Sequence, residues 1–123
     1  MSNEMVSLNF SRDEFACACC GKSDIDPDLV RRLQEVRGLL GLPMKVTSGV
    51  RCSFHNAGVG GSKNSSHLEG NSTAVDIACG NSSYRQKLLT AAFQVFDRVG
   101  IAKTFVHLDC DPGKTAGVCW QYN

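Results

Sequence analysis

Three histidines occur in the chain, at positions 55, 67 and 107, and two of them stand near a carboxylate in a pattern that could do chemistry. His67 lies in a long polar stretch, Asp76 inside the short run Ala74-Val-Asp-Ile-Ala78, and His107 inside Phe105-Val-His-Leu-Asp-Cys110. Two imidazoles and a carboxylate suit a catalytic zinc ion, which accepts nitrogen at about 2.0–2.1 Å and carboxylate oxygen at about 2.0–2.2 Å and keeps a fourth position for water. That open position makes such a site hydrolytic. Read without a metal, the same three residues are plain hydrogen-bonded side chains, and residue type alone leaves both readings standing. Asp109, two residues after His107, is the nearest acidic candidate for a catalytic base. It could equally orient a ligand from behind or serve the structure only. Glu69, two residues after His67, is a weaker candidate that reads as solvated.

The elements that must position these residues follow from periodicity. On a strand, side chains alternate between faces, so Asp76 points away from Val75 and Ile77, and His107 away from Val106 and Leu108. If the apolar neighbours face the core, a carboxylate and an imidazole emerge together on the other surface of one sheet. Ser11-Arg-Asp-Glu14 is a capping box that starts a short helix stopped by Gly21. Asp26 and Pro27 open a second helix with Leu29, Leu33, Val36 and Leu40 on one face, ended by Gly41 and Pro43. Met44–Ser48 alternates with period two and reads as a strand. From Arg51 to Thr73 the chain is rich in glycine, serine and asparagine, a loop long enough to carry function. Ala74–Ala78 is a strand, and Ser82 or Ser83 caps a helix reaching to about Val99, with Leu88, Leu89, Ala92, Phe93 and Phe96 as its apolar stripe. Phe105–Cys110 and Val118–Tyr122, separated by Pro112-Gly113, look like a hairpin. Mixed helices and strands with adjacent antiparallel strands imply an α+β fold.

At 123 residues the chain is a single domain, with residues 1–9 expected as a loose N-terminal segment. Thirteen basic residues nearly balance 12 acidic ones, which gives no indication of a nucleic-acid partner. No stretch reaches the roughly 20 apolar residues of a membrane span, and the first ten residues lack the pattern of a signal peptide. Synthesis in the cytoplasm and a monomeric state are therefore expected. Seven cysteines are an odd number that cannot all pair within one molecule. Cys17, Cys19 and Cys20 cluster, whereas Cys52, Cys79, Cys110 and Cys119 are scattered, and no repeated Cys-x-x-Cys pair announces a closed four-thiolate site. Two readings stay open: buried apolar thiols with one bridge tying down the cluster, or a thiol-based protein in which the cluster and a distant cysteine hold metal or exchange disulfides.

The run Val46-Thr-Ser-Gly-Val-Arg-Cys-Ser-Phe-His-Asn56, then Val59-Gly-Gly-Ser-Lys-Asn-Ser-Ser-His-Leu-Glu-Gly70, Ala74-Val-Asp-Ile77 and Phe105-Val-His-Leu-Asp109 resembles the zinc D-alanyl-D-alanine carboxypeptidase and murein endopeptidase family, peptidase family M15. Relatives include phage endolysins and the hedgehog signalling domain, and the similarity extends from about Phe10 to Tyr122. The resemblance implies a small sheet flanked by helices, one zinc ion held by His67, Asp76 and His107, and hydrolysis of peptidoglycan stem peptides by a carboxypeptidase or endolysin-type endopeptidase acting on the cell wall after release or lysis. It implies that Arg51 grips a substrate carboxylate, that Ser65 supports His67 or the substrate, and that His55 shapes a turn rather than binding metal. Gly60 and Gly61 would allow close backbone approach, and Trp120 either walls the cleft or fills the core. Two departures stand out. Asp76 follows His67 by nine positions where the family has seven, an insertion within Asn71–Thr73 that a loop can absorb as a bulge. The positions where some relatives carry a base are Thr104 and Phe105, and neither can serve. A zinc-binding module of the same fold without activity, as in the hedgehog branch, is the alternative.

Overall fold

A computed structural model describes residues 4–122, so the first three residues of the 1–9 segment lie outside the described part. Its first strong element is α1 (Pro27–Leu40), where the Asp26 carboxylate accepts the Leu29 N–H and proline occupies the first turn. Gly41 ends it in the left-handed conformation. Leu29, Val30, Leu33 and Val36 are buried on one face of the helix. The capping box at Ser11 is present, but it starts only a single 3-10 turn, Arg12–Phe15, that drops Phe15 into the core beside Phe10.

The sheet has five strands: β1 (Val46–Ser48), β2 (Ala74–Ala78), β3 (Arg98–Ile101), β4 (Phe105–Asp109) and β5 (Val118–Gln121). Their order is β1-β2-β4-β3-β5, antiparallel except for the β3–β5 pair. Between β2 and β3 runs α3 (Ser82–Ala92), which packs beside α1. Val75, Ile77, Val99, Val106 and Leu108 join the buried residues of both helices in one core. The α+β architecture with a mainly antiparallel sheet therefore agrees with the sequence.

Three local expectations are corrected. Phe105–Cys110 and Val118–Tyr122 do not form a hairpin: β4 pairs with β3, and β5 lies on the far side of β3, parallel to it. The helix expected to reach Val99 ends at Ala92, and Asn81 rather than Ser82 or Ser83 caps it, its Oδ1 accepting the Tyr84 N–H at 2.7 Å. The hairpin and the overlong helix have one origin, because Arg98–Ile101 is a strand of four residues whose Val99 continued the helical apolar stripe by coincidence. Phe93, counted in that stripe, is 51% exposed. The long loop also contains a short helix, α2 (Ser53–Gly58).

Candidate metal centre

Strand register builds a row of residues across the face of the sheet opposite the core. Ser48 pairs with Asp76, Asp76 with His107, His107 with Gly100, and Gly100 with Trp120. A second row places Ala74 opposite Asp109. The alternation that buries Val75, Ile77, Val106 and Leu108 thus brings Asp76 and His107 side by side on the other face.

His67 arrives from the loop. Its Nε2 lies 3.2 Å from Asp76 Oδ1, and His107 Nδ1 lies 3.0 Å from the same oxygen. The two rings meet edge to face with centroids 5.2 Å apart. One candidate ligand atom from each of His67, Asp76 and His107 falls within 4.8 Å of the others. The three residues are nearly enclosed, with side chains 1%, 13% and 9% exposed respectively.

The outer nitrogens decide what the inner ones present. His67 Nδ1 is 2.8 Å from the Gly49 carbonyl, which can only accept, so Nδ1 carries the proton. Burial lowers the pKa of His67 and outweighs the pull of Asp76, which keeps the ring neutral. Its Nε2 therefore faces the Asp76 carboxylate as a lone pair, two acceptors 3.2 Å apart with no hydrogen between them. A divalent cation resolves that contact, and the nitrogen and oxygen donors are those zinc accepts. On the other side, His107 Nε2 donates to Asp109 Oδ2 at 2.7 Å, and Asp109 Oδ1 accepts from Arg98 Nε at 2.6 Å. Burial opposes charge on His107, yet the hydrogen bonds to Asp109 and Asp76 raise its pKa above the usual histidine range. Burial would raise the pKa of Asp76, but the His107 N–H and the closeness of His67 carry it far below the usual carboxylate range.

A cleft of about 350 Å³ opens over this group, lined also by Arg51, Ser65, Lys114, Trp120 and Tyr122. Arg51 has a buried Nε with no hydrogen-bond partner, and its Nη2 makes only a long 3.5 Å contact to Ser65 Oγ. Burial lowers its pKa, as expected for a guanidinium held away from water with no carboxylate bonded to it. Ser65 Oγ also accepts the backbone N–H of His67 at 3.2 Å. The two extra residues between His67 and Asp76 are taken up by a turn in which Asn71 and Ser72 N–H donate to the Leu68 carbonyl, with Gly70 and Ser72 at positive φ. Thr73 N–H then donates to the Ser66 carbonyl at 2.9 Å, closing the turn ahead of β2, and His67 still meets Asp76 at 3.2 Å.

A family model for Peptidase M15 matches residues 8–109, more than half of the chain. The chain belongs to the peptidase M15 family. No curated protein matches it.

Membership in the M15 family supports a peptidase, and the remaining residues singled out in the sequence can be placed against that background. Glu69 is not in the cleft; it pairs with Lys22 at 2.7 Å. His55 lies in α2, where its backbone N–H meets Cys52 Sγ, and it is not grouped with the other histidines. Gly61 packs against Asn56, whose Oδ1 would lie 2.1 Å from any added Cβ, which supports the reading of close approach there. Trp120 walls the cleft, its ring 5.5 Å from that of His107 and under the Arg98 guanidinium at 5.0 Å.

Three participants escaped the sequence reading. Arg98 was hidden in the supposed end of a helix. Gly100 lies between His107 and Trp120 in the row, and a Cβ there would meet the indole at 2.7 Å and the Tyr122 ring at 2.8 Å. Its missing side chain is what lets both aromatic rings lie over β3 beside the centre. Lys114 reaches the cleft from the turn after β4 and donates to Ser66 Oγ at 2.9 Å. The signal that could have found Arg98 and Gly100 was the period-two pattern of a strand only four residues long.

Proposed function

We propose that this M15 peptidase is zinc-dependent and hydrolyses an amide bond in bacterial peptidoglycan stem peptides, with His67, Asp76 and His107 holding one zinc ion. The observation that carries the reading is the convergence of the neutral His67 Nε2 and His107 Nδ1 on one Asp76 oxygen at the base of an open cleft. When bound there, zinc would polarise the scissile carbonyl and bring the pKa of a water toward about 7. The chain's own residues supply the rest. The Gly49 carbonyl and the Asp109 carboxylate fix the two imidazoles from behind, so that each presents its inner nitrogen to the cleft. Arg51 offers an unpaired planar fork of donors to a substrate carboxylate, such as that of a terminal D-alanine. This favours a carboxypeptidase, or an endopeptidase whose substrate carries a carboxylate close to the cleaved bond. Trp120 and Tyr122 line one side of the cleft.

Of the roles open to Asp109, its surroundings favour orienting His107 over acting as a base. Its side chain has no exposure and both oxygens are engaged, by His107 and by Arg98 and the Asp111 N–H. Replacing Asp109 by alanine is expected to weaken metal affinity about 10–100-fold, with metal titration as the measurement.

The test is incubation of the purified protein with bacterial peptidoglycan, with and without a chelator, followed by chromatography of released fragments. Fragments that vanish with chelator and return with zinc are expected. Arg51→Ala should then raise KM more than it lowers kcat. A metal-loaded protein that releases nothing would favour the second reading, a zinc-binding module without activity. That alternative draws on one observation: Asp76 and Asp109 are the only carboxylates lining the cleft among the described residues, and both are already hydrogen-bonded.

A further inference from the structure

We infer that Cys17, Cys19, Cys20 and Cys52 form a second metal site, a closed four-thiolate centre for zinc that fastens the N-terminal segment to the base of the substrate loop. The Sγ atoms of Cys17, Cys20 and Cys52 lie within 4.8 Å of one another. Cys19 Sγ is 3.8 Å from Cys52 Sγ. Tetrahedral zinc with bonds of about 2.3 Å sets its sulfurs about 3.8 Å apart, so Cys17, Cys20 and Cys52 need only a small convergence to hold an ion, and Cys19, already 3.8 Å from Cys52, turns in as the fourth ligand.

The backbone is already shaped for it. Cys17 and Cys20 have the two-residue spacing of a thiolate metal turn, and Gly21 follows at φ +78°, a conformation glycine adopts without strain. The turn is closed by Gly21 N–H to the Cys17 carbonyl at 2.9 Å and by Cys17 N–H to the Lys22 carbonyl at 2.7 Å. Backbone N–H groups of Cys19, Cys20 and Cys52 are directed at Cys17 Sγ, and that of His55 at Cys52 Sγ at 3.4 Å. Such donors offset the charge of a thiolate, and buried apolar cysteines have no need of them. All four thiols are free, and a single disulfide would use two and leave two beside it. A zinc ion employs all four.

The location gives the site a purpose. Cys52 directly follows Arg51, whose N–H donates to the His67 carbonyl and whose carbonyl accepts the Glu69 N–H, each at 2.8 Å. Pinning Cys52 to the turn at Cys17–Cys20 therefore fixes the strip of backbone that carries Arg51 and His67. The site is a structural one, chemically separate from the His/Asp centre.

The experiment uses the full, reduced chain carrying His67→Ala and His107→Ala, which disarms the first centre. Cobalt(II) added to this variant should produce a thiolate-to-metal charge-transfer absorption, and zinc should displace it at one equivalent per chain. Adding Cys20→Ser, at an exposed position, leaves three thiolates and should weaken zinc affinity at least about 10-fold and lower the intensity of that absorption. Should the histidine variant fail to fold, the same comparison in the otherwise native chain reads two zinc ions per chain, one of which a competing chelator removes more readily on Cys20→Ser. Absence of thiolate absorption, or a disulfide between any two of the four after purification under reductant, would overturn the proposal. Neither outcome touches the peptidase reading, which fails on fragment release instead.

Discussion

Asp76 and His107 face each other across a β ladder, whereas His67, Arg51 and Ser65 are held by a loop that closes on itself through side chains and turns. In the strand half, two backbones fix the positions and the side chains need only alternate. In the loop half, each position depends on a particular partner: the Gly49 carbonyl for the His67 ring, Ser65 for its N–H, and Asp111 for Ser66 and Asn71. The strand half is expected to depend mainly on its own candidate ligands and on Asp109 behind His107. The loop half can be loosened from several places at a distance from the ligands.

That contrast can be broken most sharply at His107. His107→Ala is expected to abolish fragment release and to lower affinity at the His/Asp centre by more than about 100-fold, beyond what losing an outer partner causes; isothermal titration with zinc measures it, and the fold should survive because the ladder remains. Next comes Gly49→Ala in the loop half. A Cβ there would lie 2.6 Å from the Phe15 carbonyl oxygen and 2.8 Å from its Cα, backbone atoms that must shift. A cost of about 1–3 kcal/mol is expected, read by denaturant unfolding, together with weaker metal binding, because the Gly49 carbonyl holds His67. If stability falls and affinity does not, the loop half is less dependent on its partners than argued.

A smaller effect is expected from pH. Burial would raise the pKa of Asp111, but hydrogen bonds from Asn71, the Gly113 N–H and Ser66, with Lys114 nearby, lower it below the ordinary carboxylate value. A carboxylate depressed on folding stabilises the protein above its unfolded pKa of about 3.9, and that contribution is lost as pH falls through the folded value. Asp111→Asn should therefore flatten the loss of stability between about pH 5 and pH 3 relative to the unmodified chain, as measured by thermal melting across that range. The smallest effect is expected at Lys22→Met. The Lys22–Glu69 pair is solvent-exposed, so its loss should barely move the unfolding midpoint, and that small shift should vanish in high salt.

The same division governs what the sequence could reveal. Asp76 and His107 were legible from residue alternation alone, because Val75, Ile77, Val106 and Leu108 mark the buried face without ambiguity. His67 was legible from residue type only as a candidate, and Arg51 and Ser65 only through resemblance, since nothing in a run of glycine, serine and asparagine states which carbonyl a ring will meet. Helix α1 announced itself by its cap, its periodic leucines and its terminal glycine. Strand β3 did not, because four residues give barely two turns of the alternation and Gly100 contributes no side chain to it. The misplacement of β5 followed: with β3 unseen, β4 had no other neighbour to the C-terminal side. Cys52 joined Cys17 and Cys20 across a separation that no local spacing could disclose.

Strand β5 lies beyond the stretch matched to the M15 family, yet through Trp120 it borders the ring of a candidate ligand. Bond cleavage and substrate preference can accordingly diverge by separate routes in this architecture. The candidate His/Asp centre draws its residues from β2, β4 and the loop, while one edge of the cleft is formed by β5, added in parallel to β3. A change in β5 would therefore reshape the wall of the cleft at Trp120 while leaving His67, Asp76 and His107 on their own elements.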